Sequence, residues 1–316
     1  MTNPTDCSYA PTGEYIKDHT LVFNDGWWHL FSISGTAGYY HGYNGNEETI
    51  SWSISRDLVN WEMRGHVLHA SQWPEAFDRD EVWAPFCLKA DNRFYLFYTG
   101  IIHPTRPMEY RKLGHDHPWV WQGHSEIQGL AISEDLTRWT KVADFKKGLG
   151  IPGRDSHVVR DEANNRWLLY STGGGKLNDA YVSTSTDLMH WNFIGTCAQF
   201  PDLFDDDNRR IGGQNESLTV MKHPLTGKWI MMANVQYVVS DDPTNFRDSK
   251  VVTYFTPHTS TPSAIGTVGE TIEWQGKWYR SGMYGKRDYW KLGFTEIKWA
   301  EAGAFEVLTP SVMAAK

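Results

Sequence analysis

Four acidic residues stand in one local setting, each just ahead of an apolar run: Asp18 in YIKDHTLV, Asp155 in GRDSHVV, Glu216 in QNESLTV and Glu270 in VGETIEW. One acid ahead of a strand is an ordinary solvated turn residue. Four in matching settings point to shared chemistry, and carboxylates gathered on one site suit glycoside cleavage. One, kept protonated, delivers a proton to the leaving oxygen; a second, ionised, attacks the anomeric carbon or activates water. Crowding like charges in a low-dielectric channel separates their proton affinities and keeps one acid protonated near neutrality. A third can sustain that difference and stabilise the positive charge that grows on the sugar. A ring of acids can also ligate a cation, but the spaced ligands of a calcium loop are not present. The run Asp205, Asp206, Asp207 reads as a solvated acidic turn. No metal and no cofactor is expected.

The elements that must position these acids repeat along the chain. Ser-x-Asp-Leu-x-x-Trp occurs as SRDLVNW (55–61), SEDLTRW (133–139) and STDLMHW (185–191), with a degraded copy, SDDPTNF, at 240–246. Each follows a short alternating run that reads as a strand. The Ser and Asp suit a tight turn, and the Trp anchors the next strand. A second unit recurs five times: a strand, a polar turn and an aromatic-rich strand, the turns being NDG, ADNR, DEANN, LTG and QG. These are hairpin signals, and no long amphipathic helix interrupts them.

Five such units predict an all-β chain, a single five-bladed β-propeller over residues 1–316. Its first strand falls near Tyr15 to Phe23 and its last near Gly293 to Trp299. A β-sandwich has no reason to repeat one turn at this period. The high aromatic share, 14% with 16 Trp, serves strand cores and also suits sugar-binding faces. In a propeller the first strand of each blade lines the channel, which is where the acids and the corresponding Trp83 of EVWAPFCL would stand.

The net charge is −8, without a basic block, which argues against nucleic acid as a partner. No run reaches the roughly 18 apolar residues of a membrane helix, and no signal peptide is visible. The expectation is a cytoplasmic protein with an oligosaccharide or glycoside substrate; nothing in the residues sets an oligomeric state. Cys7, Cys87 and Cys197 are widely spaced, and form neither a zinc motif nor a disulfide framework.

Further candidates surround the acids. His19 and His157 neighbour Asp18 and Asp155, and either bind sugar hydroxyls or point away, since strand neighbours face opposite sides. Arg154 is placed to bond substrate or a carboxylate, or to make a structural ion pair. Trp83 is a stacking wall or a core residue, and Glu270 a secondary substrate-binding acid. Two segments read as functional loops: His103 to Gln122, long and rich in His and Pro, and the Gly- and Tyr-rich rim loop Gly38 to Glu48.

Over nearly its whole length the chain resembles the five-bladed propeller glycosidases of glycoside hydrolase families 43 and 32. IKDHTLVFNDGWWHLF resembles their N-terminal Asp-bearing hairpin, and SRDLVNWE their shared first-blade turn. EVWAPFCL is similar to the WAP segment of family 43. GRDSHV is similar to the Arg-Asp-Pro segment of family 32, with Ser156 in place of Pro, and QNESLTV to the segment that bears the general acid. The resemblance implies Asp18 as nucleophile or base, Asp155 as transition-state stabiliser and modulator, and Glu216 as general acid. His19 stands where family 32 usually has Pro, and few residues follow Trp299 where that family carries a β-sandwich. Family 43 against 32, and retention against inversion, stay open. So do two rival readings: a transglycosylase or a phosphorylase, of which the phosphorylase would want a cationic phosphate site, and a non-catalytic carbohydrate-binding propeller.

Overall fold

A computed structural model describes residues 3–39, 46–103, 124–173, 178–204, 210–212, 216–233, 236–253, 268–286, 288–301 and 303–309. Blade 1 is β1 (Glu14–Asn24), β2 (Trp27–Thr36), β3 (Thr49–Ser55) and β4 (Trp61–His69). Blade 2 is β5 (Glu81–Ala90), β6 (Arg93–Ile102), β7 (Ser125–Ser133) and β8 (Thr140–Lys141). Blade 3 is β9 (Arg154–Asp161), β10 (Arg166–Thr172), β11 (Asp179–Ser185) and β12 (Asn192–Gln199), followed by a two-stranded ribbon of β13 (Leu203–Phe204) and β14 (Arg210–Gly212). Blade 4 is β15 (Thr219–Lys222), β16 (Trp229–Ala233), β17 (Gln236–Ser240) and β18 (Val252–Thr253). Blade 5 is β19 (Thr271–Trp274), β20 (Lys277–Tyr284), β21 (Lys291–Trp299) and β22 (Phe305–Thr309). Each blade is one four-stranded sheet in chain order, and the fold is a five-bladed β-propeller. The first strand lies where the sequence predicts it. The last does not: β22 follows Trp299 and pairs with β21, a short outer strand with too little alternation to announce itself.

The chain divides into two compact units. One is Tyr9–Arg154 with Gly285–Lys291 and holds blades 1 and 2. The other is Met1–Ser8, Asp155–Tyr284 and Leu292–Lys316 and holds blades 3 to 5. The first has a core of Phe31, Ile33, Ile50, Val82, Leu96 and Tyr98, with Trp52 and Trp139 packed against it. In the second, β16 is buried on both faces. Its Trp229 and Met231 join Leu168, Tyr170 and Val220, while Ile230 and Met232 join Ile297 and Trp299. The period-two alternation of strand side chains sends neighbours into different cores, which is why WIMMA is apolar throughout. Among the described residues no helix is long and apolar enough to cross a membrane.

The repeated turn works the same way three times. The Asp Oδ1 accepts the N–H groups two and three residues on: Val59 and Asn60 at 2.9 and 2.8 Å, Thr137 and Arg138 at 2.9 and 3.0 Å, Met189 and His190 at 2.9 and 2.8 Å. The Trp Nε1 donates to the Leu carbonyl at 3.1, 3.1 and 3.0 Å. Each Leu sits left-handed, with φ of 63, 66 and 64°, a conformation that costs roughly 1–2 kcal/mol. Leu58, Leu136 and Leu188 are fully buried, worth about 1.5–3 kcal/mol each, so burial offsets the strain. In the degraded copy Pro243 takes the Leu place, where its ring forbids a positive φ. Ser240 Oγ instead donates to the Asn245 carbonyl at 2.7 Å, and Phe246 fills the Trp position in the core.

The hairpin turns also follow their sequences. Asp25-Gly26, Asp91-Asn92 and Gln275-Gly276 each have two successive left-handed residues, the type I′ geometry that matches the twist of the flanking strands.

Candidate active site

Each blade carries one left-handed residue other than glycine at or just before its first strand: Asp18 (φ 33°), Ala84 (44°), Asp155 (56°), Ser217 (47°) and Val268 (56°). At a β-branched residue such as Val268 this is a genuine outlier. Strain of this kind costs of order 1–3 kcal/mol and concentrates at functional sites. The backbone therefore aligns the five blades differently from the sequence. Asp18 and Asp155 are themselves the left-handed residues, Trp83 and Glu216 each precede one, and Glu270 lies two beyond. The four acids are not in one equivalent register.

In the unit of blades 3 to 5, Asp155 at the head of β9 is 3% exposed, and its Oδ2 accepts the Ser217 N–H at 3.1 Å. The left-handed φ of Ser217 turns that N–H toward Asp155, so the residue after Glu216 is tied to the Asp155 carboxylate. Glu216 itself is half-buried. The chain segment that bears Glu216 is thus held against the Asp155 carboxylate. Glu270 is half-buried ahead of β19, its N–H donating to Ser281 Oγ at 3.0 Å.

His157 has turned elsewhere. Its Nε2 donates to the Val220 carbonyl on β15 at 3.0 Å. Burial pushes the imidazole down to about 4, and the nearby charge of the buried Arg280 acts the same way. It is neutral near pH 7 and links two blades. The folded value lies below the ordinary 6.5, so its contribution to stability is present above 6.5 and is lost as the pH falls toward 4. That loss is up to about 3 kcal/mol. Between pH 7 and 4.5 the urea-unfolding free energy of the wild type should fall further than that of His157→Gln, which keeps a donor but does not titrate. Equal falls would show that His157 does not carry this dependence.

In the unit of blades 1 and 2, Asp18 is half-buried at the register shift between Lys17 and His19 in β1. His19 is buried. Lys17 Nζ bonds both oxygens of the fully buried Glu47, at 3.0 and 2.9 Å, and Glu47 Oε1 also accepts the Tyr15 hydroxyl at 2.8 Å. Burial pushes the Glu47 carboxyl up to about 7, with the neighbouring Glu81 adding to the rise and Lys17 opposing it. Burial alone would lower the Lys17 ammonium; Glu47 and Asp18 outweigh that and hold it above its ordinary value. Trp83 is 6% exposed, with Lys17 Nζ 5.1 Å from its ring centre and His124 edge-on at 5.6 Å. Arg154 Nε lies 3.3 Å from Glu126 Oε1, which also bonds His124 Nε2 at 2.9 Å. Glu81 bonds His103 Nε2 at 3.0 Å.

Sequence reasoning did not single out Lys17, Glu81, His124 and Glu126, while Glu47 and His103 fall within the two loops it marked. Glu81 was within reach, because it shares a strand face with Trp83 two residues on. The Lys17–Glu47 pair spans 30 residues and leaves no local signature. Of the expected loops, residues 104–122 and 40–45 lie outside the described residues, as does the acidic run Asp205 to Asp207.

The fold is a five-bladed propeller with acids in or just ahead of the first strands of its blades. Glycosidases are among the proteins of similar sequence and fold. The profile of glycosyl hydrolases family 43 matches residues 28–179. A levanase of Bacillus sp. (strain L7) is 26% identical over 239 residues, covering 71% of this chain and 23% of the levanase. The GH32 β-fructofuranosidase of Bombyx mori has a TM-score of 0.64 at 17% identity, covering 97% of this chain and 66% of that one. A GH43 enzyme of Xanthomonas citri, solved with xylose, has a TM-score of 0.67 at 14% identity, covering 97% and 95%. At such identities the structures speak to the fold alone. The chain spans about a quarter to a third of the curated relatives it matches. It resembles glycoside hydrolase families 43 and 32, in sequence and in fold.

Proposed function

We propose that this chain is a glycoside hydrolase acting on furanosidic linkages, of the fructofuranoside or arabinofuranoside kind, in oligo- or polysaccharides. The two compact units are, on this reading, one catalytic domain over residues 1–316. Asp18 is the nucleophile or base, Asp155 stabilises the transition state, and Glu216 is the general acid. The observation that carries the reading is the Ser217 N–H bond to Asp155, which fixes a buried carboxylate against the segment bearing a second acid. On this reading the bond holds the stabilising carboxylate beside the segment of the general acid, and glycoside cleavage needs its carboxylates in a fixed relation. The levanase among the sequence relatives supports a furanoside.

Phosphorolysis would want a cation left over for phosphate. Lys17 and Arg154 each face a carboxylate, whereas the buried Arg280 bonds Thr271 and Met232, so phosphate dependence is the measurement that separates the two acceptors. The test is release of reducing sugar from fructo-oligosaccharides, arabino-oligosaccharides and their aryl glycosides, with and without inorganic phosphate. Hydrolysis of one series without phosphate is expected. Turnover only with phosphate would replace the reading with a phosphorylase; binding without turnover of any member would replace it with a carbohydrate-binding module.

A further inference from the structure

In the unit of blades 1 and 2 the segment Gly285–Lys291 is fastened to the end of blade 1 where β1 begins. The Ile16 N–H donates to the Trp290 carbonyl at 3.0 Å, and the Gly38 N–H to the Asp288 carbonyl at 2.9 Å. The Trp290 ring meets the Tyr15 ring edge-on at 5.7 Å. Ile16 stands two residues before Asp18, about 7 Å along a strand.

Two large aromatic side chains are exposed at this junction, Tyr289 at 50% and Tyr39 at 57%. Single exposed aromatics need no explanation. These two flank one interloop hydrogen bond, and the loop beneath is shaped around one of them. Gly38 is left-handed (φ 84°), and a Cβ there would lie 2.6 Å from the Tyr289 hydroxyl oxygen, so glycine leaves the phenol room to lie across the loop. Lys286 Nζ stands 5.8 Å from the Tyr289 ring centre, a cation–π contact that orients the ring. The result is a flat, oriented aromatic surface close to Asp18 along the chain fold, with an ammonium over one face.

We propose that Tyr289, with Tyr39 beside it, is a stacking platform for a sugar residue of the substrate beyond the bond that is cleaved. The inference rests on the glycoside reading above. The C–H face of a sugar ring is apolar and slightly positive and matches the negative face of a phenol, and the sugar would take the face that Lys286 does not cover. The platform would favour oligosaccharides over disaccharides.

Binding of a disaccharide and a tetrasaccharide, from both the fructo- and the arabino-series, is measured by calorimetry in an Asp18→Asn background with Tyr289, Tyr289→Ala or Tyr289→Phe. Loss of an aromatic stack is worth about threefold to tenfold in affinity. Tyr289→Ala should therefore lower the tetrasaccharide-to-disaccharide affinity ratio by that factor, and Tyr289→Phe should keep it. Gly38→Ala, which sets a methyl against the hydroxyl, should lower it in part. A ratio unchanged in Tyr289→Ala, or equal losses on both lengths, overturns the platform. If the wild type cleaves neither series the glycoside reading falls, while the binding comparison still decides the platform. Thermal melts of the three proteins, expected to coincide because the side chain is half exposed, separate binding from folding.

Discussion

Glu216→Gln is expected to lose about 10²- to 10⁴-fold on a natural furanoside, the usual worth of general-acid help, and far less on an activated aryl furanoside. The amide keeps the shape of the side chain and removes its proton. A sugar alkoxide leaves poorly without protonation, whereas a nitrophenolate needs little. The loss should therefore follow the leaving group. The Ser217 main-chain bond to Asp155 does not involve the Glu216 side chain, so the substitution should leave the local backbone in place. Initial rates of wild type and variant on a matched pair of substrates decide the matter. Equal losses on both would remove Glu216 from the acid role, which would then pass to Glu270; His157, neutral and bonded to Val220, is poorly placed to take it.

The second large effect is on stability. Lys17→Met should cost about 3–5 kcal/mol at pH 8, the usual result of removing one partner from a buried ion pair. Glu47 is fully buried and, among the described residues, would keep the Tyr15 hydroxyl as its side-chain partner. The carboxylate has an escape, because burial already raises its proton affinity. Without Lys17 it will take up a proton at higher pH still, and a neutral acid needs no counter-ion. The loss measured by urea unfolding should thus be clearly smaller at pH 5 than at pH 8, and Lys17→Met/Glu47→Gln should regain part of it. The same sign holds in the wild type. A carboxyl raised from 4.5 to about 7 keeps a proton in the folded state that the unfolded chain releases, so its contribution declines as the pH rises through that window. Equal losses at both pH values, with no recovery in the double variant, would show that the pair is not an energetic unit.

Much of the architecture was legible because it is local. Ser-x-Asp-Leu-x-x-Trp encodes a complete hydrogen-bonded turn within seven residues, and Asp-Gly or Gln-Gly between two β-rich runs encodes a type I′ hairpin. The blade count follows from these repeats. The acids were legible as types ahead of strands, but their register was not. A left-handed residue in the first strand shifts the alternation there, so counting by twos cannot say which way His19 or His157 points. Ala84, Ser217 and Val268 hold the same backbone position as Asp18 and Asp155 with no shared side chain to reveal it. The Lys17–Glu47–Tyr15 cluster depends on pairings some thirty residues apart, which only the folded chain makes visible.

The most direct test of the carboxylate mechanism is the rate of Asp18→Asn on the glycoside that the wild type cleaves, natural and aryl, measured with the wild type alongside. A nucleophile or base is needed whatever the leaving group, so the loss should be about 10⁴-fold or more on both substrates, with the melting curve little changed. A rate within tenfold of the wild type on either substrate would contradict the assignment of Asp18, and with it the proposed carboxylate mechanism.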